Sequence, residues 1–132
     1  MQKVVRRYLT ALEAGDANKA AALFVPNGWV QSPFLGRLPV RDFFAKVAGA
    51  SSGAKLTVHD VLVSAEGQLR AVAYYLYDWS LKDGSRVSFD CADVFNFDAD
   101  TGHIGDQPEL RRGGDGDQLG KDVNLIECPK TM

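Results

Sequence analysis

The sequence is poor in the residues that build covalent or metal-bound frameworks. It has two cysteines, Cys91 and Cys128, and two histidines, His59 and His103, in 132 residues. Two cysteines cannot staple a small domain, and two scattered histidines add no metal-ligand spacing. No metal and no cofactor is expected. An excess of either charge is also missing: 15 Lys and Arg stand against 17 Asp and Glu, for a net charge of −2. Such a chain has no electrostatic footprint for nucleic acid or an anionic membrane surface. The basic pairs Arg6-Arg7 and Arg111-Arg112 are short and far apart. Nothing approaches the roughly 20 apolar residues of a membrane span, and the first residues show amphipathic spacing rather than the apolar core of a signal peptide. These absences predict a protein of the reducing cytoplasm, with no nucleic acid and no membrane as partner.

What is present fits one globular domain: 45% hydrophobic and 24% charged residues, enough apolar material for one core. Val4, Val5, Tyr8, Leu9 and Leu12 recur at helical spacing, which predicts a helix over 2–14. Gly15 ends it, and Asp16 is placed to cap a second helix through Phe24. Trp29 to Ser32 reads as a short extended piece stopped by Pro33, and residues 40–49 read as a third helix. Gly49 to Gly53 reads as a small-residue loop. Three strands are predicted after it, at Lys55–Ala65, Gln68–Leu81 and Arg86–Phe97, the last two joined by the hairpin signal Lys82-Asp83-Gly84-Ser85. Helices followed by an antiparallel meander predict an α+β fold. Residues 1–104 form this unit. The segment 105–132 is atypically rich in Gly and charge, and only Val123 to Ile126 has strand character.

Asp93 is the residue that asks for an explanation. On a strand, alternate side chains share a face. One face of the third strand then carries Phe89, Cys91, Asp93, Phe95 and Phe97. A carboxylate in an apolar wall costs several kcal/mol unless it finds a partner or takes up a proton. The alternatives are a strand in the other phase or a carboxylate capped by a nearby backbone N–H.

The order of parts resembles a known superfamily. Arg7-Tyr8-Leu9 with Glu13-Ala14-Gly15-Asp16, then Val30-Gln31-Ser32-Pro33-Phe34, then Asp90-Cys91-Ala92-Asp93-Val94-Phe95 before Phe97-Asp98 are similar to the nuclear-transport-factor-2-like superfamily, in its ketosteroid isomerase and SnoaL-like branch. The resemblance covers residues 2 to about 104. It implies a cone-shaped fold, with three N-terminal helices packed on a strongly curved, mainly antiparallel sheet around an apolar pocket. It also implies a homodimer. In the resemblance, Tyr8 and Asp93 match the tyrosine and the carboxylic acid of the isomerase oxyanion hole, an acid kept protonated by an apolar site. Trp29, Ser32, Phe34, Phe89 and Phe95 would line the substrate pocket.

The departures shape the expected function. The branch carries its general base in Val-Glu-Asp-Pro, and this chain has Val30-Gln31-Ser32-Pro33. A serine hydroxyl cannot take a proton from carbon at pH 7. Phe24, and Phe43 or Phe44, stand where supporting tyrosines are expected. The resulting expectation is a protein that binds an apolar, oxygen-bearing small molecule, with isomerisation, cyclisation or dehydration as the reactions open to it. One alternative is a non-catalytic ligand-binding or protein-interaction module. Another is epoxide hydrolysis, which would need an Asp–Arg–Asp group around a water, with Arg70, Arg86 and Asp78 as candidate contributors. His59 and Asp60, adjacent on a strand, point to opposite faces and form no dyad; His59 would share its face with Thr57, Val61 and Val63.

Overall fold

The computed structural model describes residues 1–32 and 35–105, together with the backbone of Asn124–Glu127. In chain order the elements are α1 (Gln2–Ala14), α2 (Ala17–Ala22), β1 (Trp29–Ser32), β2 (Gly36–Pro39), α3 (Val40–Ala50), β3 (Ser51–Val63), β4 (Arg70–Leu81), β5 (Arg86–Asn96) and β6 (Asn124–Glu127). α1 buries Val5, Tyr8, Leu9 and Ala11, the stripe that its apolar spacing dictates. Gly15, in the left-handed region at φ 73°, closes it. Its N–H bonds the Leu12 carbonyl at 3.2 Å and the Asp16 N–H bonds the Ala11 carbonyl at 2.9 Å, a Schellman stop. Asp16 then starts α2, its Oδ1 accepting from the Lys19 N–H at 3.0 Å. The helix stop and the next start thus share two residues, which sets the turn between α1 and α2.

The described strands form one sheet in the order β2-β1-β6-β5-β4-β3. All neighbours are antiparallel except β1 and β6, which run parallel. The segment with strand character at the C-terminal end therefore enters the same sheet, between β1 and β5. The chain near His103 contributes only isolated bridges, from Ile104 to Phe24 and Phe97. The rest of the Gly-rich segment, 106–123 and 128–132, lies outside the described residues.

Two expectations from the sequence are corrected here. Gly49 to Gly53 is not a loop: α3 runs to Ala50 and β3 starts at Ser51. Ser51 pairs with Leu81, and the Lys82 N–H bonds the Ala50 carbonyl at 3.0 Å, so cross-strand pairing overrides the weak strand preference of small residues. β2 has no counterpart in the sequence reading. It is four residues long, starts at Gly36 with φ 77° and ends at Pro39 on the sheet edge, where a missing N–H is tolerated.

The face of β4 with Ala71, Ala73, Tyr75 and Tyr77 is buried, as is the face of β5 with Cys91, Asp93 and Phe95. They meet Val5, Tyr8 and Leu9 of α1, Phe24 after α2, and Phe43 and Phe44 of α3 in one core. The opposite face carries exposed apolar groups such as Leu62 and Tyr74. A β-bulge interrupts β3 where Val58 pairs with Tyr75 and Asp60 with Tyr74, leaving His59 as the extra residue. Past the bulge the phase changes. Val61 pairs with Ala73 and packs against the core, so it does not share a face with His59 as simple alternation predicts. Among the described residues, no helix is long and apolar enough to cross a membrane.

Candidate functional site

The third-strand phase inferred from the sequence is the one observed, and Asp93 is 0% exposed. Register explains its surroundings. Ala73 lies opposite Asp93, and Tyr75 lies opposite Cys91. Tyr75 is therefore a diagonal neighbour of Asp93 on the same face, within reach of a long side chain. Its hydroxyl donates to Asp93 Oδ2 at 2.7 Å. Asp93 Oδ1 is buried and has no hydrogen-bond partner among the described residues. The Tyr8 hydroxyl, arriving from α1, also acts on this carboxyl, though only Tyr75 closes a bond of good geometry.

Electrostatics follow from this burial. Loss of solvation pushes the Asp93 pKa up to about 7, against the opposing pull of the Tyr75 and Tyr8 hydroxyls. Burial also raises both phenols well above their usual range, and the nearby Asp93 charge raises them further. Near neutral pH the tyrosines remain proton donors, and Asp93 sits close to its own titration midpoint. The Tyr8 ring is packed by aromatics: it meets Phe24, Phe44 and Phe95 edge-on, with centroids 6.2, 5.9 and 5.0 Å away. The phenylalanines that replace the expected tyrosines thus support Tyr8 by packing.

A cavity of about 140 Å³ adjoins this group, close to the size that accommodates a single aromatic ring. Tyr8, Ser32, Phe43, Tyr75, Tyr77, Trp79, Phe89 and Cys91 are among its walls. Asp93 is not a lining residue; it reaches the cavity through the two tyrosines that do line it. Ser32 is 4% exposed, and its Oγ accepts from the Leu35 N–H at 3.2 Å. Phe95 packs behind Tyr8 instead of lining the cavity. Phe34 lies outside the described residues.

Trp29 goes elsewhere, because Val30 and Ser32 occupy the inward phase of β1. At 36% exposed, it stacks under the Arg37 guanidinium at 5.1 Å. It borders a larger surface depression of about 890 Å³ with Arg41 and His103. That depression has more volume, but no buried acid held by a lining phenol stands behind its described residues, as Asp93 stands behind Tyr75 of the smaller cavity, so the chemistry points to the smaller cavity.

Tyr75 is the functional candidate that the sequence reading missed. The signal was available: once β4 and β5 are paired as a hairpin, Tyr75 falls on the face of Asp93. The loop-to-strand register was needed to see it. His59 has its partner on the outer face, where Nε2 lies 3.0 Å from Asp90 Oδ1 and the ring meets Tyr74 at 4.6 Å. Asp78 accepts from the Ser88 hydroxyl, and Arg70 Nε donates to Asn96 Oδ1 at 2.9 Å. Arg70 and Asp78 sit on the outward phase at opposite ends of β4, so they do not assemble an Asp–Arg–Asp group in the cavity. Asp98 closes a turn, accepting at Oδ2 from the Thr101 N–H at 3.0 Å and its hydroxyl at 2.7 Å.

The site therefore combines phenolic donors, a buried acid behind them and an apolar cavity. Among the described lining residues, the ionisable groups are Tyr8, Tyr75, Tyr77, Lys46 and Cys91, with no carboxylate or imidazole. The arrangement can donate hydrogen bonds to an oxygen and polarise it. Its described residues offer no general base of ordinary type.

The family model of the SnoaL-like domain matches residues 5–105. No curated protein matches the sequence. Solved structures similar in fold include a hypothetical protein with a ketosteroid isomerase-like fold from Catenulispora acidiphila in complex with trimethylamine. It is 10% identical, with TM-score 0.69, covering 94% of this chain and 83% of that one. An LEH-like epoxide hydrolase of M. tuberculosis is 14% identical, with TM-score 0.66 and coverage of 96% and 80%. An NTF2-like protein of unknown function from Exiguobacterium sp. is 16% identical, with TM-score 0.70 and coverage of 97% and 99%. At these identities the likeness is one of fold.

Proposed function

The chain belongs to the SnoaL-like domain family of the NTF2-like superfamily, and we propose that it binds an apolar small molecule through a carbonyl or phenol oxygen. The observation that carries this reading is the buried Asp93–Tyr75–Tyr8 group beside an apolar cavity. The cavity is the pocket of a cone formed by the curved sheet and three helices. Tyr8 donates to the ligand oxygen, Tyr75 holds Asp93, and Asp93 keeps both hydroxyls aligned. Ser32 is a polar contact, and Phe89 is a wall. The same donors suit cofactor-independent isomerisation, cyclisation or dehydration of a substrate that supplies its own base, since Ser32 cannot. A solely binding role is the second reading, favoured by the lack of a carboxylate or imidazole among the described lining residues.

The test is ligand-dependent stabilisation by a planar phenol. At about 100 times its dissociation constant, the phenol should add roughly 2.7 kcal/mol to stability. Tyr8→Phe keeps the ring and removes the hydroxyl, and should weaken binding by about ten-fold. Failure of planar phenols and cyclic enones alike to stabilise the folded protein would sink the reading. Conversion of a bound enone to its isomer would select catalysis over binding alone.

We also propose a homodimer through the outer sheet face. Leu62, Val72 and Val94 lie side by side across β3, β4 and β5, and Leu62 is 47% exposed. An apolar row on a solvent face calls for a cover. Sedimentation should show a dimer for the wild type and a monomer for Leu62→Glu; a monomeric wild type at high concentration would refute it.

A further inference from the structure

Trp79 lines the same cavity and carries a buried polar atom that the reading above leaves unused. Its Nε1–H is buried and has no acceptor among the described residues. A buried N–H without an acceptor is rare and costly. The side chain lines the cavity, and its ring is fixed by stacking on Tyr77, with centroids 5.6 Å apart and planes 12° from parallel. Trp79 shares the inward face of β4 with Tyr75, four residues away, which is about 13 Å along a strand. Backbone spacing thus separates Trp79 from Tyr75 along one wall of the apolar space. Lys46 of α3 also lines it, and no ion pair holds its ammonium among the described residues.

Building on the proposed binding function, we propose that Trp79 is a second anchor: its indole N–H donates to a carbonyl or carboxylate oxygen at the end of the ligand remote from Tyr8. The ligand class is then a slim aromatic or alicyclic molecule with an oxygen at each end. The inner oxygen meets Tyr8. The outer one meets Trp79 and, when anionic, is also attracted by Lys46. A molecule with only the inner oxygen would leave the indole N–H unpaired in the complex, so Trp79 sets specificity.

Three probes of similar size test this: para-butylphenol, the para-hydroxyphenyl butanone with a ketone on the same chain, and para-hydroxyphenylpropionate. At least one oxygen-bearing chain should bind the wild type about three- to ten-fold tighter than para-butylphenol. Trp79→Phe retains an aromatic ring against Tyr77 and should bring that ratio to about one. The stronger of the two probes tells a neutral carbonyl from a carboxylate. A readout on the wild type guards against a misfolded variant: the ligand that gains affinity should move one of the two indole N–H resonances downfield, and para-butylphenol should not. Two outcomes would overturn the second anchor and leave the Tyr8 reading standing: binding of para-butylphenol with no gain for either oxygen-bearing probe, or a gain that survives Trp79→Phe. Failure of all three probes to bind would overturn the second anchor, and the Tyr8 reading would fall with it if cyclic enones also fail to bind.

Discussion

Asp93→Asn should be more stable than the wild type at pH 8 by on the order of 4 kcal/mol, and nearly equal to it at pH 4. The buried acid has a pKa of about 7 in the folded protein, against an ordinary value of 3.8. Between these values the folded state holds a proton that the unfolded state has lost. The stability that this proton represents is fully present below about pH 4. It falls as pH rises and is gone once pH passes through about 7, where the folded acid also ionises. Other carboxylates contribute their own pH dependence, but the difference between variant and wild type isolates Asp93. Urea unfolding at a series of pH values measures it. Parallel curves for the two proteins would mean that Asp93 is ionised at no cost, and the site would lose its buried acid. The Asn side chain keeps a carbonyl oxygen that can accept from the Tyr75 hydroxyl, so the variant should still bind a phenol.

Phe95→Ala should cost about 3–5 kcal/mol, with a fall in Tm on the order of 10–20 °C for a domain of this size. Phe95 is almost fully buried, shares its strand face with Asp93, and meets the Tyr8 ring edge-on at 5.0 Å. Removing the ring opens a void behind Tyr8 and frees the hydroxyl that the proposed ligand contacts. Phe95→Leu retains most of the volume and should cost less than about 1.5 kcal/mol. The pair therefore separates packing from chemistry. If Phe95→Leu preserves stability but weakens phenol binding, the aromatic edge contact orients Tyr8. Equal stability of Phe95→Ala and the wild type in thermal melts would contradict the burial on which the whole core rests.

Much of the fold was legible in the chain because its signals are local. The spacing of Val5, Tyr8, Leu9 and Leu12, followed by Gly15 and Asp16, specifies a helix, its stop and the next start within sixteen residues. The alternation Cys91, Asp93, Phe95 placed the acid on the buried face before any partner was visible. What escaped depends on pairing between distant segments. β2 and the start of β3 have weak propensity and exist because neighbouring backbone completes their hydrogen bonds. The bulge at His59 reverses the phase of β3, and no residue type there announces it. Trp29 was expected at the cavity and lies outside it, because one residue of phase on β1 decides which way a side chain points.

By itself, then, the sequence determined where the three helices lie, the alternation along the third predicted strand and the presence of one acid in an apolar face. These follow from periodicity and side-chain chemistry, which operate within a few residues. Only the tertiary structure decided that Tyr75 donates to that acid, that Asp93 stands behind the cavity wall, and that Trp79 lines the same cavity with its buried N–H unpaired among the described residues. Each of these depends on register and on helices crossing the sheet, which bring together groups far apart in the chain. Burial then converts those meetings into shifted pKa values and unsatisfied donors, properties that no residue carries alone.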